Sequence, residues 1–97
     1  MGKYSINKLP SDILMSIAKN VAAQRKELNW TQKDLAERSG VSYGSIKRFE
    51  RSGQVSFESL LKIAEVLGRL SEFENLILPR SNKRLEKLFR STNEKKS

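Results

Sequence analysis

The sequence predicts an all-α domain of five helices followed by a basic C-terminal extension, and three observations carry that expectation. Apolar residues recur at three- and four-residue spacing in successive windows, the period of a helix face rather than of a strand. Most windows open on a Ser or Thr suited to an N-cap and close at a Gly or Pro. The 37% of apolar residues in this 97-residue chain includes few aromatics and is dominated by Leu, Ile, Val and Ala. That composition suits one core of packed helices.

Residues 1–10 show no usable period and read as a flexible arm, in which Lys3 and Lys8 could meet solvent or a backbone phosphate. The folded domain is expected over residues 11–79. Ser11 suits the N-cap of a first helix of roughly 17 residues, with Ile13, Leu14, Ile17, Ala18, Val21, Ala22 and Leu28 on its apolar face. Its last turns carry Arg25 and Lys26, where cations also complement a helix C-terminus. Thr31 then opens TQKD, a capping-box-like start for a short second helix from about Gln32 to Ser39. Gly40 supplies the left-handed residue that ends it, and Val41 closes the corner. Ser42 caps a third helix, Tyr43 to about Arg51, which Ser52, Gly53 and Gln54 break. Ser56 caps a fourth, with Phe57, Leu60, Leu61, Ile63, Ala64 and Leu67 as a wide stripe ending at Gly68. Ser71 with Glu74 reads as the capping box of a fifth helix through Phe73, Leu76, Ile77 and Leu78, closed by Pro79. In the basic tail, residues 80–97, Leu85, Leu88 and Phe89 fit either a marginal helix or a disordered segment.

Nineteen Lys and Arg against 11 Asp and Glu give a formal charge of +8. The excess is spread along the chain: +3 over residues 1–30, +2 over 31–70 and +3 over 71–97. A polyanion can therefore be met by the folded body, and nucleic acid is the expected partner, with an anionic membrane surface or an acidic protein as the alternative. The chain has no Cys and no His, which removes disulfides, thiolate and imidazole metal ligands and the usual general base together. No metal and no cofactor are expected. A hydrolase would need a Ser–Lys or carboxylate pair in a cleft that so short a helical chain has little room to build, so an enzyme is disfavoured. The N-terminus lacks the apolar run of a secretory signal, and no stretch approaches the roughly 18 apolar residues of a membrane span, so a cytoplasmic protein without membrane contact is expected.

On a helical wheel of the third helix, Ile46 and Phe49 face Leu35, Ala36 and Val41 of the preceding segment. The opposite side holds Gly44, Lys47, Arg48 and Arg51, with Tyr43 at the exposed N-terminal edge. A small-residue corner at Ala36 and Gly40 lets the two helices cross closely and pushes the third outward, as entry into a major groove requires. Arg can donate two bonds to guanine, and Ser and Tyr hydroxyls can bond bases or phosphate. The start of the second helix, Thr31, Gln32 and Lys33, offers free N–H groups and a positive dipole end to a phosphate. The competing reading is an ordinary solvated face, with Glu37 and Glu50 available to pair with its cations and Tyr43 half-buried on the core.

Taken in order, TQKDLAERSGVSYGSIKRFE resembles the helix-turn-helix of the XRE family, the lambda-repressor and Cro type, at Gln32, Leu35-Ala36, Gly40-Val41-Ser42, Ile46 and Phe49-Glu50. The likeness covers about residues 11–70. It implies a five-helix lambda-repressor-like DNA-binding domain and a sequence-specific transcriptional regulator, acting as a homodimer on double-stranded DNA. On that match Gln32 contacts phosphate, Ser42, Tyr43, Gly44 and Arg48 face bases, and Lys47 and Arg51 touch flanking bases or backbone, Lys47 being taken as a base contact and Arg51 as a phosphate contact. Thr31 and Lys33 join the phosphate set from the helix start they occupy, and Arg25 from its charge. A narrower likeness, in LPSDI and in VSFESLLKIAEVLGRLSEFENLILP, is to HipB-like regulators, antitoxins that repress their own operon and hold a HipA-like kinase toxin. It implies an alternative in which toxin binding is the main role and DNA binding secondary. Two departures stand out. Ser52-Gly53 stands where the family has Asn-Gly, and Gly44 replaces a polar reader, which leaves fewer direct base contacts, so part of any specificity would come from DNA shape.

Overall fold

The computed structural model describes residues 8–80, and these form four α-helices and one 3-10 turn with no strand. Helix α1 spans Pro10–Glu27, α2 Gln32–Ser39, α3 Tyr43–Ser52 and α4 Phe57–Val66, and the 3-10 turn covers Leu70–Phe73. The expectations for most of the arm and for Leu85, Leu88 and Phe89 lie outside the described residues.

The caps explain most of the boundaries. In α2 the hydroxyl of Thr31 accepts from the N–H of Asp34 at 3.0 Å, and the Asp34 carboxylate accepts from the N–H of Thr31 at 2.8 Å. Two orphan donors are thus satisfied reciprocally. Ser42 and Ser56 accept from the N–H groups of Ser45 and Ser59 at 3.1 and 3.0 Å. The first helix starts earlier than Ser11 suggests. Leu9 is its N-cap and Pro10 its first residue; the missing N–H of proline costs nothing there, while the Asp12 carboxylate accepts from the Leu9 N–H at 2.9 Å.

Ala18, Leu35, Ile46, Phe49 and Ile63 are fully buried and join Val21, Ala36, Val41, Leu60 and Ala64 in one core. Helix α3 lies against both α1 and α2, and α4 closes the other side of α2. Burying Phe49 alone contributes about 1.5–3 kcal/mol. The outer ends of the apolar stripes are less covered than their spacing implies: Ile13, Leu14, Leu28 and Phe57 all remain exposed, Phe57 meeting Phe73 edge to face at 6.2 Å. Between α3 and α4 the chain turns on Gly53, at φ +82°, where an added Cβ would lie 2.9 Å from the backbone carbon and Cβ of Leu14. Helix α1 can approach this corner only because the residue has no side chain.

The fifth helix is corrected. After the 3-10 turn, Ile77 has φ +57°, which a right-handed helix cannot contain, and Leu76, Ile77 and Leu78 stand exposed. Three consecutive apolar residues cannot share one helix face, and Pro79 biases Leu78 towards extended backbone. Only Phe73 of that expected face packs on the core.

Candidate nucleic-acid interface

Helix α3 is pinned from behind and open in front. Ile46 and Phe49 are fully buried, whereas Ser42, Tyr43, Gly44, Lys47, Arg48 and Arg51 are all exposed. The structure therefore brings the expected base-contacting residues together on one face. Among the described residues Lys33, Lys47, Arg48 and Arg51 make no ion pair, because Glu50, the nearest expected partner, is engaged elsewhere and Glu37 stays apart.

Tyr43 stands where α2 and α3 meet. The ammonium of Lys47, one turn along α3, lies 4.6 Å from its ring centroid, and that of Lys33, on α2, lies 5.7 Å away. The shallow groove beside the ring is lined by Lys33, Glu37, Gly40, Val41, Ser42 and Tyr43. Beside it, a Cβ on Gly44 would meet nothing within 4 Å, so the bare backbone leaves an unfilled space on the exposed face. Ser42 has less to offer than its position suggests. Its hydroxyl caps α3 and donates to the Ser45 hydroxyl at 2.9 Å, which leaves one lone pair for any base.

At the start of α2 the N–H groups of Gln32 and Lys33 have no acceptor among the described residues, as the first turn of a helix requires. Thr31 presents its side chain to Asp34 rather than outward. Hydrogen bonds from the Thr31 backbone and hydroxyl hold the Asp34 carboxyl below its ordinary 3.8, so an anion already shares this helix end.

Arg25 is the largest departure from expectation. Its guanidinium is turned inward, donating to both carboxylate oxygens of Glu50 at 2.8 and 2.9 Å and to the Trp30 carbonyl at 2.8 Å. The Arg25 and Glu50 side chains are 9% and 8% exposed. Arg25 consequently joins α1 to α3 and to the α1–α2 link, and it is withdrawn from the phosphate-contacting set. The Gln32 amide donates to the same carboxylate at 2.9 Å, so this expected phosphate contact is tied at one end to the fold. The network went unforeseen although a signal was present: Arg25 stands seven residues after Ala18 and four after Val21, on the buried stripe itself. Trp30 was also missed; Arg38 stacks over its ring at 4.3 Å.

Burial pushes the Glu50 carboxyl up, but hydrogen bonds from Arg25 and Gln32 and the charges of Arg25 and Lys26 outweigh it and hold the carboxyl below its ordinary 4.5. A depressed folded-state value contributes stability that is fully present above the unfolded value and is lost as pH falls through the folded one. The urea midpoint should therefore drop as pH is lowered below about 4.5, and more steeply in the parent than in Glu50→Gln. Equal slopes would remove Glu50 from the acid transition.

A concavity of about 160 Å³ between α1, α4 and the 3-10 turn lies away from this face and is floored by Ile17, Val21, Leu60, Ala64 and Phe73. It is below the roughly 300–1,000 Å³ of small-molecule sites. Among the described residues there is no cluster of carboxylates able to hold a metal, and no helix is long and apolar enough to cross a membrane.

Two comparisons bear on this geometry. A family model described as Helix-turn-helix matches residues 21–75, the whole span from the middle of α1 to just past the 3-10 turn. The chain is also 35% identical over 83 residues to the cryptic phage CTXphi transcriptional repressor RstR of Vibrio cholerae serotype O1, an alignment covering 76% of this chain and 74% of that protein.

Proposed function

The chain belongs to the XRE-type helix-turn-helix family and is a DNA-binding transcriptional regulator, and from that premise we propose that it represses transcription as a homodimer on a two-fold operator, α3 lying in the major groove. The observation that carries this reading is the exposed set Lys47, Arg48 and Arg51, free of ion pairs among the described residues and displayed with Tyr43 and Gly44 on a helix fixed from behind by Ile46 and Phe49. Lys47, Arg48 and Tyr43 then read base edges, Gly44 lets the backbone approach, and Ser42 contributes its remaining lone pair. The N–H groups of Gln32 and Lys33, the Gln32 and Lys33 side chains, and Arg51 hold phosphates and set the register. Thr31 acts through the cap that orders this helix start.

Arg48→Ala is expected to cost about 1–3 kcal/mol on the preferred operator and to flatten the preference at one base pair. Fluorescence anisotropy against the duplex upstream of the protein's own coding region and a scrambled duplex, at low and physiological salt, measures both. If the variant bound every sequence as the parent does, Arg48 would not be a reader. If the parent itself bound both duplexes equally and salt erased the binding, charge alone would be acting.

The homodimer reading is supported by Leu70, Leu76, Ile77 and Leu78, exposed by 41%, 51%, 97% and 55%, since an uncovered apolar group of this kind marks a protein contact. The second reading, an antitoxin that holds a kinase partner, assigns that contact to the Leu- and Phe-containing C-terminal region, residues 80–97. Removal of residues 80–97 separates the two. Loss of partner capture with operator binding intact favours the antitoxin, whereas loss of both together means that the tail serves dimerisation or folding.

A further inference from the structure

Two lysines from different helices converge on one exposed tyrosine, and neither has an ion-pair partner among the described residues. The Lys47 contact is local, because residues four apart share a helix face. The Lys33 contact is not: it crosses from α2 to α3 at the mouth of the groove between them. Surface lysines repel one another and disperse unless something holds them. Here the negative face of the Tyr43 ring draws both ammonium groups to within 5.7 Å.

This arrangement changes what Tyr43 can do in a groove. A tyrosine side chain free to rotate would sweep several base edges, whereas one contacted by a cation on α2 and another on α3 is biased towards the rotamer that keeps both contacts. Ammonium groups over a ring face also draw electron density from the phenol, so its O–H is biased to donate rather than accept. An acceptor edge, the O6 and N7 of guanine or the O4 of thymine, suits such a group, and the amino groups of cytosine and adenine do not. The neighbouring position strengthens the effect: Gly44 has no side chain to compete for that edge, and the space around its Cα is open.

We propose that Lys33, beyond any phosphate contact, is a specificity-determining residue that acts through Tyr43, holding the phenol as a hydrogen-bond donor to an acceptor-bearing base edge. The inference rests on the major-groove reading of α3. It departs from the simpler role for Lys33, a phosphate contact whose loss weakens all sequences alike.

The test uses the full chain and a library of random duplexes, from which preferred sites are selected and each operator position is then varied in turn. Four proteins are compared: the parent, Tyr43→Phe, Lys33→Met and Lys33→Arg. Tyr43→Phe should flatten the preference at one base pair by about two- to ten-fold, the range of a single neutral hydrogen bond. Lys33→Met should flatten the same pair, on top of a uniform loss and a shallower salt dependence, while Lys33→Arg keeps the preference. In the Tyr43→Phe background, Lys33→Met should change nothing further at that pair. A Lys33→Met protein whose affinity fell equally at all positions would overturn the inference and leave the major-groove reading standing. Selection of no preferred site by the parent would overturn that reading, and this inference with it.

Discussion

Arg25→Ala is expected to destabilise the fold by about 3–5 kcal/mol, because it strands the Glu50 carboxylate in the interior with only the Gln32 amide as partner. A domain of this size typically holds 5–15 kcal/mol in all, so the variant should melt far below the parent and be partly unfolded at physiological temperature. Circular dichroism melts and urea titrations measure the loss. The decisive companion is the double variant Arg25→Met/Glu50→Leu. Removing both charges leaves no ion without a partner, and replacing a buried pair by apolar groups of similar volume is often neutral or stabilising. The double variant should therefore recover most of the stability. Should it be as unstable as Arg25→Ala, the cost would lie in lost packing around the Trp30 carbonyl rather than in the stranded charge.

Gly53→Ala should be of comparable size, about 2–5 kcal/mol, from two additive sources. A left-handed backbone costs a non-glycine residue roughly 1–3 kcal/mol. The methyl would also press at 2.9 Å on the backbone of Leu14, which can yield only if α1 moves as a body. Gly40→Ala supplies the control, since Gly40 has a similar φ of +77° with nothing within 4 Å of an added Cβ. It should show the conformational part alone. Equal losses at the two positions would mean that the contact with α1 relaxes freely.

These two sites mark where the amino-acid sequence is easy and hard to read. The helix-turn-helix was legible because its signals are local: the Thr31 and Asp34 pair, Gly40 and the Ser42 cap each act within a few residues. The exposed face of α3 followed from the positions of Ile46 and Phe49. What escaped depends on contacts between distant segments. A cation in the last turn of α1 looks like an ordinary dipole partner until Glu50, 25 residues on, is seen opposite it. The fifth helix failed for a different reason. Ser71, Glu74 and Pro79 gave it plausible ends, and Phe73, Leu76 and Ile77 stand at helical spacing, but Leu78 falls off that face and the backbone turns left-handed at Ile77.

The separation of labour within α3 has a consequence for how such a protein can change. Tyr43, Gly44, Lys47 and Arg48 contribute nothing to the core, and the charged network beneath them runs through Arg25, Gln32 and Glu50. Substitutions on the outer face should thus leave the melting temperature almost untouched, and on the proposed major-groove reading they change the preferred sequence. On that reading a lineage carrying this scaffold can wander through operators by single steps, each of them folded, and acquire new targets without first acquiring spare stability.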